Sequence, residues 1–332
     1  MPSDRTFVTE VATGLGMVGG EDPGQAIAAR PAELATLVEA DWSRLERLWE
    51  QRRHRVEFAA GFANGRAFWA APDGLNRRRP RLVEWTGGRR AAGDEVVPAD
   101  LRVDHVYLVS CKYLSRILHN PSPARLIDAL LAQSAAADPV DWYRRTAPDE
   151  HQALYRDSVA ALGLTGLPAA VTGLGREERR KLAQALRGAW PSEVIGTYAR
   201  LCARVSQVTA DRWRSRIATE GPQRLVWRLL RIGSAPYFIL GADGTGSMRL
   251  RIATPWDWQQ DFVLRRLEVE AQDGGQPRVG WRVVYLDRRR DEVAEVAGHV
   301  ELRWSHGRFA APPEAKVYLD TPHHLVPGYH PI

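Results

Sequence analysis

Lysine is nearly absent from this chain: of 46 basic residues, only Lys112, Lys181 and Lys316 are lysine. Arginine supplies a generic positive charge equally well, but not a compact ammonium on a slim stem. A lysine that survives such a bias therefore asks for an explanation, and Lys112 asks most, because it follows the apolar run in "DHVYLVSCKYL". Cysteine is scarcer still. Cys111 and Cys202 are the only two and lie far apart, which excludes a disulfide framework or a zinc knuckle and fits a reducing cytosol. The N-terminal "MPSDRTFVTEVATG" lacks the charged-then-apolar layout of a signal peptide. No apolar run reaches the ~20 residues of a membrane span. The expectation is a cytoplasmic protein with no membrane partner.

Several motifs are also missing. Without G-x-x-x-x-G-K-[ST] there is no P-loop, and without G-x-S-x-G or H-E-x-x-H two common hydrolase routes have no support. "GLGMVGG" (14–20) matches G-x-G-x-x-G in letters, but Pro23 and Gly24 follow where that fingerprint needs a helix, so it reads as a Gly-rich loop. "DTPHHLVPGYH" gathers Asp320, His323, His324 and His330, yet adjacent histidines point apart in an extended segment, and it reads as a terminal loop.

What is present is an ordinary globular composition, 44% hydrophobic and 26% charged over 332 residues, long enough for two or three domains. The net charge of +6 favours a polyanionic partner, and nucleic acid is the first to consider. Residues 1–30 read as an irregular Gly-rich segment. One helix is expected from Pro31 to about Ala63, where Leu34, Leu37, Trp42, Leu45, Leu48 and Trp49 recur at helical spacing. "RLVEW" (81–85) and "RVDHVYLVSCKY" (102–113) read as strands. "SPARLIDALLAQ" begins a helix, with Ser122 as its cap and Pro123 at its first position. The chain then reads as helical to about residue 220. The last third reads as strands, from "LVWRLLRI" through "PYFILGA", "MRLRIAT", "FVLRRLEVEA", "RVGWRVVYLD" and "HVELRW" to "KVYLD". The expected fold is α+β: an α/β core over 31–135, a helical segment over 136–220 and a β-rich domain over 221–332.

Alternation along the lysine strand sends Ser110 and Lys112 to one face and Cys111 to the other. An acid, a hairpin, then an apolar strand ending in a small polar residue, any residue and lysine resembles the PD-(D/E)xK nuclease superfamily over roughly residues 30–135. The resemblance implies a nuclease-like core that hydrolyses phosphodiesters with Mg²⁺ or Mn²⁺, as restriction, repair or phage-defence endonucleases do, on DNA rather than RNA. It also implies two acids on the metal and a lysine that orients or deprotonates the attacking water. Lys112 takes the lysine's place. The acid of (D/E)-x-K is Ser110 here, a second-rank contact, so another carboxylate must stand in. Nine residues separate Asp100 from the S-x-K triplet. If 102–112 is one unbroken strand, Asp104 lies about 20 Å from Ser110 and Glu84 becomes the better partner. If the chain turns at "DH", Asp100 or Asp104 folds back toward Lys112. Asp100, Asp104 and Glu84 all stay open as metal ligands, and Glu39 or Glu46 is the candidate for a further acid on the leading helix.

Two further features bear on function. "PPEAKVYLD" holds a literal E-x-K, Glu314 and Lys316, but ahead of its apolar run rather than after it. Trp256 and Trp258, near Arg265 and Arg266, suggest a stacking and phosphate-contacting surface for nucleic acid. The missing acid at 110 supports an alternative: a non-enzymatic nucleic-acid-binding or assembly subunit with other protein subunits as partners and a degenerate nuclease-like core.

Overall fold

A computed structural model describes residues 2–87, 99–113, 117–119, 123, 126, 141–233, 236–243 and 246–332. It is mixed α+β, and its contacts divide the chain into two units. The first comprises residues 1–116, 230–262 and 323–332, and the second 117–229 and 263–322. These do not follow the sequence intervals expected above, because the first unit recruits strands from the last third of the chain.

The first unit opens with α1 (Asp4–Val18), where irregular chain was expected over residues 1–30. That expectation is corrected. The Ser3 hydroxyl caps the helix by accepting from the Thr6 N–H (3.2 Å), and the glycines that suggested a loop serve helix packing. A Cβ on Gly16 would lie 2.2 Å from the Phe62 carbonyl oxygen, and one on Gly65 would lie 2.0 Å from that of Thr13. Only hydrogen at these positions lets α1 and α4 (Arg55–Ala70) meet backbone to backbone. Pro23 does not break a helix either. It opens α2 (Pro23–Ala29), with Asp22 accepting from the Gly24 and Gln25 N–H groups at 2.7 and 3.1 Å. The single helix expected over 31–63 is two: α3 (Glu39–Glu50) ends before Arg52 and His54, whose left-handed φ values of 55° and 58° turn the chain into α4.

In chain order the strands are β1 (Val83–Trp85), β2 (Leu101–Val103), β3 (Tyr107–Tyr113), β4 (Ile117–His119), β5 (Tyr237–Asp243), β6 (Gly246–Ile252), β7 (Phe262–Gln272), β8 (Arg278–Asp287), β9 (Glu292–Arg303), β10 (Glu314–Leu319) and β11 (Tyr329–Pro331). The first unit's sheet runs β1-β2-β3-β5-β6-β11. β1 to β3 pair antiparallel, and β5 then joins β3 in parallel, with Ser110 opposite Ile239 and Lys112 opposite Gly241. Phe238, Ile239 and Leu240 are fully buried, as a central strand requires. The core behind the sheet holds Phe7, Val11 and Leu15 of α1, Phe58 and Phe68 of α4, and Leu101, Val103 and Val109 of the hairpin.

The second unit carries the sheet β4-β10-β9-β8-β7 and the 29-residue helix Ser192–Glu220. Trp142, Tyr143, Trp213, Val283 and Val300 are among its buried side chains. "LVWRLLRI", expected as a strand, contributes to the helix Gln223–Leu229 instead. The helix expected to begin at Ser122 lies outside the described residues except at Pro123 and Leu126. Among the described residues, no helix is long and apolar enough to cross a membrane.

Candidate functional site

The strand over 102–113 is not unbroken. Asp104 and His105 take left-handed φ values of 51° and 57°, and β2 folds back on β3 as a hairpin. Asp and His tolerate that conformation better than the branched valines on either side. With Leu101 opposite Val109, Asp100 comes across from Ser110. Its Oδ2 accepts the Ser110 hydroxyl at 3.1 Å and the Cys111 N–H at 2.6 Å. Of the acids left open by the sequence, Asp100 is the one delivered to the S-x-K triplet.

The end of β3 bearing Lys112 is pinned by a buried polar cluster. Asn64, 1% exposed on α4, donates through Nδ2 to the Gly241 carbonyl (2.9 Å) and the Tyr113 hydroxyl (3.0 Å). Arg249 Nε donates to its Oδ1 at 2.9 Å, and the Thr13 and Tyr113 hydroxyls lie 3.2 Å apart. Gly241 is required beside Lys112, because a Cβ there would fall 1.7 Å from the Lys112 carbonyl oxygen.

The second acid at this end is Glu10. Buried on α1, it accepts the Trp85 indole N–H at 2.7 Å, and Trp85 is itself held edge-on by Phe7. Burial first, and then the negative charge of Asp100, push the Glu10 carboxyl up to about 8, while Lys112 pulls it the other way. Among the described residues Lys112 closes no ion pair, and burial lowers its ammonium from the usual lysine range, as does the nearby Arg231 charge. Arg231 is 4% exposed, with φ 57°. It donates to the Tyr237 hydroxyl, and its Nε and Nη2 are buried without hydrogen-bond partners. Burial raises the Tyr237 phenol, and the Arg231 charge and the Ser110 hydroxyl pull it the other way, so Arg231, Tyr237, Ser110 and Asp100 form one polar neighbourhood.

The other expected residues are placed elsewhere. Asp104 sits at the hairpin tip, where its Oδ1 accepts the N–H groups of Arg81 and Leu82 at 2.7 and 2.9 Å. Glu84 stands opposite Arg102 on β1, and its Oε2 lies 3.3 Å from His105 Nδ1. Both acids serve the far end of β3 from Lys112, so neither is a ligand beside it, and those expectations are corrected. Glu39 and Glu46 both pair with Arg30 at 2.8 Å on the surface. The acid that a helix brings toward Asp100 is Glu10 instead. Trp256 and Trp258 lie on the helix Pro255–Asp261 rather than in a loop. Trp256 is 69% exposed, but Trp258 is buried against Phe262, so the surface role expected of Trp258 is corrected. Arg265 and Arg266 are exposed on β7, where Arg266 pairs with Glu268 at 2.6 Å.

Sequence reasoning missed Glu10 and Arg231. Glu10 had a signal: it is the only ionisable residue between Arg5 and Glu21. Arg231 had none, being one arginine among many. Asp100 and Glu10 suit a Mg²⁺ ion, which needs one or two carboxylates and takes its other ligands from water and phosphate. Among the described residues, no group of three or more His, Cys, Asp or Glu gathers closely enough to hold a metal alone. A divalent cation shared by the two acids would favour the ionisation of Glu10 that burial and Asp100 oppose. Compared with known proteins, the chain matches no family model, no curated protein and no solved structure.

Proposed function

We propose that the chain is a metal-dependent nuclease of the PD-(D/E)xK type, with the first unit as its nuclease-like core and nucleic acid, DNA before RNA, as substrate. One arrangement carries the reading: the hairpin fixes Asp100 on Ser110 and Cys111, next to Lys112, and buried Glu10 of α1 lies close enough for the charges of Asp100 and Lys112 both to act on it. Asp100 and Glu10 would hold the metal. Mg²⁺ or Mn²⁺, when bound, supplies Lewis-acid stabilisation of the phosphate and a more acidic water. Ser110 acts as an orienting residue, because its hydroxyl and the Cys111 N–H together fix Oδ2 of Asp100. Lys112, with its lowered ammonium, hydrogen-bonds the attacking water or a phosphate oxygen. Arg231, buried and held by the Tyr237 hydroxyl, adds positive potential that favours a phosphate.

The second reading is a nucleic-acid-binding or assembly subunit without activity. Two observations favour it: serine at the acid position, and no three-ligand group among the described residues. The test is incubation of the purified protein with supercoiled, linear and single-stranded DNA and with RNA, in Mg²⁺, Mn²⁺ or EDTA, beside Lys112→Ala. Metal-dependent cutting that the variant loses supports the nuclease. Salt-sensitive binding with no cutting in any metal selects the subunit.

A further inference from the structure

At the opposite end of β3 from Lys112, the first unit has a groove of about 680 Å³ whose lining includes Arg78, Arg79, Arg81, His105 and Val106. The three lining arginines belong to "RRRPR" (77–81), whose four arginines are all exposed; Arg77 adjoins the lining rather than forming part of it. A run of like charges is most often a solvated, mobile stretch, but this one is built. Leu75 and Pro80 are buried on either side of the first three. The Arg77 N–H donates to the Trp69 carbonyl at 2.6 Å, that of Arg78 to Leu75 at 2.9 Å, and that of Arg81 to Asp104 Oδ1 at 2.7 Å. The backbone that carries the guanidinium groups is therefore fixed in place before any ligand arrives, which lowers the ordering cost of binding.

The nearby acids leave most of this charge uncompensated. Glu33 pairs with Arg79 at 2.6 Å, Glu84 faces His105, and Asp104 is engaged by two backbone N–H groups. Among the described residues, Arg77, Arg78 and Arg81 pair with no carboxylate. Planar guanidinium forks match phosphate oxygens in pairs. An array of them along a concave edge fits a chain of phosphates better than a flat anionic surface.

We infer that this groove grips the phosphate backbone of a nucleic acid, as a binding site separate from the Lys112 end. The inference takes its partner class from the proposed function but not its chemistry, because backbone binding needs neither metal nor cleavage. Labelled duplex and single-stranded oligonucleotides are titrated in EDTA across a salt series. The proteins are the wild type, Arg77→Gln/Arg78→Gln/Arg81→Gln, and the same three positions changed to lysine.

The glutamine triple is expected to bind roughly 10- to 100-fold more weakly at ~0.1 M salt, with a salt slope shallower by about 2 to 3, near 0.9 per lost phosphate contact. The lysine triple keeps the slope, which separates lost charge from lost folding. The strand type more affected identifies the form of backbone gripped. Unchanged affinity and slope in the glutamine triple overturn the inference. So does binding to phosphatidylserine vesicles with no binding to either oligonucleotide. If the wild type cuts DNA while the glutamine triple binds like the wild type, this inference alone fails. If the triple loses binding while the wild type never cuts, the catalytic reading alone fails.

Discussion

Lys112 and Lys316 both follow a polar residue by two positions in a β-strand, and their surroundings are opposite. Lys316 belongs to the literal E-x-K and is spent within it: its Nζ lies 3.3 Å from Glu314, which also faces His306 at 3.3 Å. A pair closed on itself in an antiparallel sheet has no charge left for a ligand. Lys112 follows serine rather than glutamate, so the nearest position on its own strand neutralises nothing. Its carboxylates come from α1 and from across the hairpin, and burial and Arg231 press against its charge. The spelled motif is a structural ion pair, whereas the misspelled one has the unbalanced charge that reactive sites keep.

The sharpest way to break this contrast is to remove each lysine in turn. Lys112→Ala is expected to lower the metal-dependent cutting rate by about 10²–10³-fold, the usual range for removing a donor aimed at charge that develops in the transition state. Lys316→Ala should leave the rate unchanged and cost about 1 kcal/mol of stability in urea unfolding, the worth of a part-exposed pair. Equal loss of activity from both would abolish the distinction. Stability gives an opposite sign. A lysine with a lowered folded-state value contributes stability that is present above about 10.5 and lost as pH falls through the folded value. At neutral pH the charged Lys112 therefore burdens the fold, and Lys112→Met should melt higher than the wild type while being inactive.

Glu10 sharpens the same comparison through pH. Its carboxyl is raised from 4.5 to about 8, so its contribution to stability is full below about 4.5 and lost as pH rises through about 8. In EDTA, Glu10→Gln should match the wild type near pH 4.5 and exceed it above pH 8 by at most about 5 kcal/mol, at about 1.4 kcal/mol per unit. Adding Mg²⁺ at the higher pH should raise the melting temperature of the wild type and leave the variant unmoved. A variant that gains as much from Mg²⁺ would remove Glu10 from the metal.

How much of this the sequence disclosed depends on the range of the interactions. The apolar runs of β3, β5 and β8 were legible because a strand's burial is written in its own residues. The oddity of Lys112 was legible in composition, and Asp100 came within reach once a turn at Asp104–His105 was considered. Glu10 was not found, because the glycines around it resemble a loop until α4 is there to pack against them at Gly61 and Gly65. The β-rich last third was not legible as two sheets. β5 joins β3 and β10 joins β4 through pairings between distant segments that no local pattern records.

Gly241 tests whether position, and not just identity, distinguishes Lys112 from Lys316. Its missing Cβ makes room for the Lys112 carbonyl at 1.7 Å, backbone that has no rotamer by which to yield. Gly241→Ala should therefore cost about 1–3 kcal/mol in unfolding, as overpacking does, and lower cutting through displaced strand while leaving oligonucleotide affinity in EDTA intact. If affinity falls in step with activity, the variant has damaged the unit as a whole.

The smallest effect expected is at Ser110. Its hydroxyl gives Asp100 one hydrogen bond at 3.1 Å, while the Cys111 N–H gives a shorter one at 2.6 Å that no side-chain change removes. Ser110→Ala should therefore lower cutting by about 10-fold or less, the equivalent of the ~1 kcal/mol typical of one hydrogen bond. Ser110→Asp completes a literal (D/E)-x-K but sets the new acid against Asp100 across the hairpin. Without metal the two carboxylates repel, so the variant should melt lower than the wild type in EDTA. With Mn²⁺ it should regain that loss and bind the ion more tightly in calorimetry. If Ser110→Asp neither loses stability without metal nor gains affinity with it, the end of β3 at Lys112 is no more a cation site than the closed pair at Lys316.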